Sequence, residues 1–298
     1  MPLDPQARAL LDQLAVDASP PPPKPLPASV PEPQIAKVED ISIPGPGLDL
    51  PARVYTPKDK GSLPVTVFLH GGGWVGGSID SVDATCRMLS DRSGSVVVSV
   101  GYRLAPLTKF PGPVDDCYAA TLWAEQNSVA LGGDGSRLAI QGSSAGGNLA
   151  AAVTLLARER GGPRLVCQVL VYPVTDQAMG TPTYVEFAEG YRLTAAAMRD
   201  NRQNYLRDEK DRMDPLAAPV QAPDLSGLPP ALVITSEFDI LRHEGEAYAQ
   251  RLMDAGVPTT LTRYEGMIHT FFNPQVGFDK SFEAIDQAGA ALRAAFGS

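Results

Sequence analysis

Hydrophobic residues along this chain recur with two different periods, and the change from one to the other sets the expected architecture. Positions 4–16 carry Ala7, Leu10, Leu11 and Leu14 at helical spacing, which predicts a short amphipathic helix. Residues 20–33 then hold eight prolines and read as a semi-rigid extended linker. The apolar stripe of the helix needs a partner, so it is expected to pack back over the domain. Residues 37–43 and 52–56 alternate apolar and polar positions with proline and glycine between them, as two antiparallel strands at a sheet edge do. From Val65 the alternation gives way to short continuous apolar runs at 65–69, 96–100, 138–140, 166–172, 231–235 and 260–264. Strands covered on both faces of a parallel sheet need such runs. Helical patterns lie between them at 81–92, 114–127, 148–160, 242–255 and 282–296. The expected fold class is α/β, an eight-stranded, mostly parallel sheet with helices on both faces.

Residues 176–230 break the pattern. They hold no strand signal, one helical stretch at 194–206 and a proline-rich return. A connection of that length predicts a lid or cap. Its residues Tyr184, Phe187, Tyr191, Leu193 and Met198 either line a pocket or form a small core of the cap itself, and the pattern does not choose between the two. The chain divides into an N-terminal helix and linker (1–34), a core (35–175), the insertion (176–230) and the rest of the core (231–298). No internal repeat is visible.

The apolar run at 138–140 leads into Gly142-Ser143-Ser144-Ala145-Gly146-Gly147, after which a helical pattern begins. A strand entering Gly-x-Ser-x-Gly and leaving as a helix is the context of a nucleophile elbow. The turn forces its central residue to positive φ, and the flanking glycines let strand and helix touch. Ser144 is the candidate nucleophile, chosen over Ser143 by its position two residues from each glycine. A phosphate loop is excluded, because Asn148 and Leu149 stand where lysine and Ser/Thr belong.

A serine needs a base, and the base needs an acid. Of the three histidines, His269 follows the last strand, where a loop hangs over the carboxyl edge of the sheet. His70 precedes a glycine run, where it braces a loop, and His243 sits inside a predicted helix. Asp239, just past the run at 231–235, is the candidate acid, with Asp176, Glu237 and Glu244 as rivals. The order Ser144, Asp239, His269 is that of α/β-hydrolases. His70-Gly71-Gly72-Gly73-Trp74 follows the strand at 65–69. Its glycines offer the backbone N–H groups of Gly72 and Gly73, together with that of Ala145, as an oxyanion hole.

Composition narrows the alternatives. A net charge of -9 and a pI near 4.9 oppose non-specific binding to nucleic acid or anionic lipid, which reward clustered Lys and Arg. Cys86, Cys117 and Cys167 are isolated, without disulfide or zinc spacing. No apolar run reaches the length of a membrane span and no leader pattern opens the chain, so a soluble cytoplasmic protein without metal is expected.

Five segments together resemble the bacterial hormone-sensitive-lipase-like carboxylesterases. They are His70-Gly71-Gly72-Gly73-Trp74, Tyr102-Arg103-Leu104-Ala105-Pro106, Gly142-Ser143-Ser144-Ala145-Gly146-Gly147, Asp239-Ile240-Leu241-Arg242 and His269-Thr270-Phe271, in family order over residues 35–298. The resemblance implies an α/β-hydrolase fold with a helical cap built from the N-terminal segment and the insertion. It implies a serine carboxylesterase acting on a small-molecule ester of short to medium acyl length, without cofactor. Trp74, Ser143, Phe187, Tyr191 and Leu193 are the expected substrate-binding residues. Ser143, His243, Leu107 and Thr108 depart from the family pattern, and Ser143 lacks the charge that an aspartate brings to the elbow. An amidase or arylformamidase would use the same machinery. A non-enzymatic small-molecule receptor on this fold, like the plant gibberellin receptors, would lack the histidine that His269 supplies here. Pairing of exposed edge strands such as 260–264 would allow a homodimer.

Overall fold

The computed structural model describes residues 2–17, 22 and 24–297, so Pro20, Pro21 and Pro23 of the expected linker lie outside the described residues. In chain order the elements are α1 (Pro5–Val16), β1 (Ile35–Pro44), β2 (Asp49–Pro57), β3 (Leu63–Leu69), α2 (Asp83–Ser93), β4 (Val96–Val100), α3 (Gly112–Gln126), β5 (Gly133–Ser143), α4 (Ala145–Arg160) and β6 (Leu165–Val171). The insertion contributes α5 (Thr183–Glu186) and α6 (Ala195–Tyr205), and β7 (Ala231–Phe238), α7 (Arg242–Asp254), β8 (Thr259–Ile268) and α8 (Asp279–Phe296) complete the chain. The strands form one eight-stranded sheet in the order β1-β2-β4-β3-β5-β6-β7-β8. Strand β2 runs antiparallel to both its neighbours, and from β4 to β8 every pair is parallel.

The continuous apolar runs follow from burial on both faces. Val65, Val67 and Leu69 of β3 share one core with Val114 of α3 and Leu149 and Val153 of α4. Phe68, pointing the other way, joins Met88 and Leu89 of α2 and Ile285 and Leu292 of α8. Each such side chain contributes about 1.5–3 kcal/mol when fully buried, which favours apolar residues on both faces of these strands. Strand β5 runs well beyond the apolar triplet at 138–140, because Gly133 and Asp134 pair with Leu63 and Pro64 before a register shift. That polar end carries no hydrophobic signal.

Two features matter for the site. Helix α1 buries Ala7 and Leu10 in the core of α2 and α8. Its cap residue Asp4 donates its N–H to Gly266 O at 3.0 Å, while Lys24 N–H reaches Gln275 O at 3.0 Å. The N-terminal segment therefore clips both ends of the loop that carries His269. The helical cap sits on the other core, where Tyr184, Phe187, Met198, Tyr205 and Leu206 are all buried.

Candidate active site

Ser144 stands between β5 and α4 with φ 57° and ψ -119°. A side chain in that strained region persists only where the surroundings enforce it. Here both glycines are needed, since a Cβ on Gly142 would lie 2.1 Å from Gly146 O and one on Gly146 would lie 2.1 Å from Leu69 O. The Ser144 N–H donates to Val171 O at 2.9 Å, tying the turn to the next strand.

From β8 and its following loop, His269 places Nε2 3.0 Å from Ser144 Oγ, and its Nδ1 lies 2.6 Å from Asp239 Oδ2. The Asp239 carboxylate takes a further N–H from Leu241 at 3.0 Å. Asp239 is 1% exposed and His269 4%, so both bonds sit out of bulk water, where they are electrostatically stronger. Tyr172, also at positive φ, leans over the imidazole with ring centroids 4.6 Å apart. Hydroxyl, imidazole and carboxylate thus lie in series, a path along which a hydroxyl proton can pass to the ring and the carboxylate can stabilise the charge it creates.

The rival carboxylates are engaged elsewhere. Glu237 accepts the Gly266 N–H at 2.6 Å, and Asp176 accepts the Ala178 N–H at 3.1 Å. Glu244 is buried, and its Oε1 accepts N–H groups from Thr175 at 2.8 Å and Asp176 at 3.3 Å. Burial pushes its carboxyl up to about 8, so it is mostly protonated at neutral pH. Of the other histidines, His243 is exposed. His70 is buried, stacks on Tyr102 with centroids 4.2 Å apart and bonds through Nδ1 to Gly71 O at 2.8 Å. Burial lowers its pKa and keeps it neutral.

The glycine loop passes beside the elbow, and a Cβ on Gly71 would meet Ser143 O at 3.0 Å. Gly72 and Gly73 both have positive φ, at 122° and 62°. Among the described residues their N–H groups donate to no protein acceptor. Ala145 is the first residue of α4, where an N–H has no partner within the helix. The Tyr102–Pro106 segment is the brace of this loop. Tyr102 Oη donates to His70 O at 2.7 Å, and Arg103 holds the fully buried Asp116 of α3 through Nη2 at 2.6 Å.

These groups open into a cleft of about 570 Å³ that includes Ser143, Ser144, His269, Gly72, Gly73 and Leu193. Three of the expected substrate residues are elsewhere. Trp74 is 0% exposed and stacks on Tyr205 at 4.3 Å, fastening the glycine loop to α6. Phe187 and Tyr191 pack on each other and on Phe238. The cap aromatics therefore serve largely as core, whereas Leu193 and Met198 face the cleft. None of the described residues of the N-terminal segment lines it. The sequence reading missed Tyr172, Arg192 and Asn201 as lining residues. Tyr172 had a signal, its place at the carboxyl end of a strand, while Asn201 is brought in by the packing of α6. Of the departures from the family pattern, Leu107 and His243 are exposed, and Ser143 alone of the four lines the cleft.

Among the described residues no group of three or more His, Cys, Asp or Glu is placed to hold a metal ion, and no helix is long and apolar enough to cross a membrane. The three cysteines are free and buried.

Comparison with known proteins places this geometry. Residues 66–273 match a family described as alpha/beta hydrolase fold. The chain is 42% identical to an arylesterase of Saccharolobus solfataricus over 82% of this chain and 79% of that protein. It is 40% identical to an ethyl acetate hydrolase of Pseudomonas putida, over 83% and 79%. An esterase from the archaeon Pyrobaculum calidifontis superposes with a TM-score of 0.91 at 42% identity, covering 99% of both chains. The relatives are thus not confined to bacteria, which removes that restriction from the resemblance. The match over most of the chain, on the sheet and elbow described above, establishes that this protein belongs to the alpha/beta-hydrolase family.

Proposed function

We propose that this carboxylic ester hydrolase cleaves short- to medium-chain acyl esters through an acyl-enzyme on Ser144. Oγ attacks the ester carbonyl carbon while its proton passes to His269 Nε2. The tetrahedral oxyanion is held by the N–H groups of Gly72, Gly73 and Ala145, each such donor being worth about 3–4 kcal/mol of barrier. Collapse expels the alkoxide, which takes the proton from Nε2 and leaves as the alcohol. Water then gives a proton to His269 Nε2 as it attacks the acyl carbon, and the second tetrahedral intermediate collapses with return of that proton to Ser144 Oγ, releasing the carboxylic acid and free Ser144. Asp239 holds the Nδ1–H tautomer and stabilises the imidazolium.

The observation that carries this reading is the hydrogen-bonded series Ser144 Oγ, His269, Asp239 at 3.0 and 2.6 Å, with Ser144 and His269 lining the cleft. The names of the relatives, an arylesterase and an ethyl acetate hydrolase, support a small ester as substrate. In steady-state assays on 4-nitrophenyl butyrate, Ser144→Ala is expected to lower kcat by at least about 10³-fold with an unchanged circular dichroism spectrum. Undiminished turnover in that variant would overturn the assignment.

A further inference from the structure

Helix α6 presents a second face. Met198 and Asn201 look into the cleft, whereas Ala195, Arg199, Arg202 and Leu206, at helical spacing, look into a separate cavity of about 780 Å³. Arg207 and Arg212 also line this cavity, as do the carboxylates Asp208 and Glu209. In a chain of net charge -9 this is a local excess of positive charge.

The ion pairs leave two of the arginines over. Glu209 is bonded to Arg212. Arg207 is held by Asp211 at 2.6 and 3.0 Å. Asp208 accepts the Lys210 N–H at 2.8 Å. Among the described residues neither Arg199 nor Arg202 has a carboxylate partner. Arg199 is exposed at the rim, but Arg202 is only 4% exposed. Its Nε donates to Gln177 Oε1 at 3.0 Å, and Gln177 is itself fixed by a bond from Nε2 to Ala217 O at 2.8 Å. The guanidinium is therefore oriented in advance, and among the described residues its two terminal nitrogens have no hydrogen-bond partner beside the cavity that Arg202 lines. A buried cation with no carboxylate in contact is costly; burial and Arg212 pull its pKa down, only partly offset by the more distant Glu244 and Glu209, so the site gains when an anion enters. The planar fork of a guanidinium matches carboxylate and phosphate oxygens two at a time. Met179, Val185 and Leu206 add an apolar wall able to cover a short organic body.

We propose that this cavity is a binding site, separate from the catalytic cleft, for a small organic oxyanion, a carboxylate or a phosphate monoester, held by Arg202 and Arg199. The anion sits on the helix whose opposite face closes the cleft.

Full-length protein titrated with sodium hexanoate or inorganic phosphate at constant ionic strength, with chloride as the reference salt, tests this by calorimetry and thermal melting. Saturable binding of either probe and a rise in Tm beyond that in chloride are expected, and the arm that binds identifies the chemistry. Arg202→Gln should weaken binding about tenfold or more, and Arg199→Ser by a smaller factor. The Arg199 position is exposed, so that variant stays informative if Arg202→Gln fails to fold. No saturable binding by either probe would overturn the proposal. So would binding by both variants at wild-type affinity, which would place the anion outside this cavity.

Discussion

Ser144 and His269 are linked by a single hydrogen bond, and in the proposed mechanism the direction of that bond depends on Asp239. With Oδ2 at 2.6 Å, the carboxylate keeps the proton on Nδ1 and leaves the Nε2 lone pair facing Ser144 Oγ. Asp239→Asn preserves the shape but offers an amide that favours the wrong tautomer. It is expected to lower kcat by about 10³–10⁴-fold with little change in KM or Tm, as steady-state kinetics and a thermal melt will show. A loss under tenfold would mean that Asp239 only packs. Trp74 teaches the converse lesson. An aromatic residue beside a glycine loop reads naturally as a substrate contact, yet it stacks on Tyr205 and is fully buried. Its indole supports the loop from behind.

Helix α7 shows how an element can carry a pH dependence apart from catalysis. Glu244 lies in its first turn, and its Oε1 holds the N–H groups of Thr175 and Asp176 where the chain leaves β6 for the cap. Thr175 Oγ1 returns a bond to Glu244 O at 2.7 Å. In the folded protein burial raises this carboxyl to about 8, against about 4.3 in an unfolded chain. The folded state therefore binds the proton more tightly. The stability that this supplies is fully present below about pH 4 and is lost as pH rises towards 8. Glutamine reproduces the neutral acceptor without titrating. Thermal melts from pH 5 to 8.5 should show wild-type Tm falling by several degrees relative to Glu244→Gln. Parallel curves would show that the carboxyl is not raised.

The molecule as a whole couples its N-terminus to the histidine loop. Asp4 and Lys24 bond to Gly266 and Gln275, on either side of His269, and the Gln6 side chain accepts the Asp279 N–H at 3.0 Å. Deleting residues 1–26 removes these clips and uncovers the apolar residues that pack under α1. Such a truncation is expected to lower Tm and to reduce kcat more than it raises KM, because the loss falls on the placement of His269. Unchanged kcat on 4-nitrophenyl butyrate would show that the loop is held by β8 alone. The same segment marks a limit of sequence reading. Its amphipathic stripe announced a helix in need of a partner, but periodicity carries no information about which face of the sheet supplies one.

The order of residues along the chain was enough for the eight strands, the glycine-flanked turn at Ser144 and a short list of candidates for its base and acid. Apolar runs report burial on both faces of a strand, and the glycines at 142 and 146 report backbone approach closer than a Cβ permits. These are local demands, and they leave local marks. Choosing Asp239 over Glu237, two residues away on the same strand end, required the bond to His269, 30 residues further along. Recruiting Asn201 and Tyr172 to the cleft, withdrawing Phe187 and Tyr191 from it, and leaving Arg202 without a carboxylate depended on how the cap folds onto the sheet. Contacts between segments as far apart as Ser144 and His269, separated by 125 positions, are made by packing, and no period along the chain encodes packing.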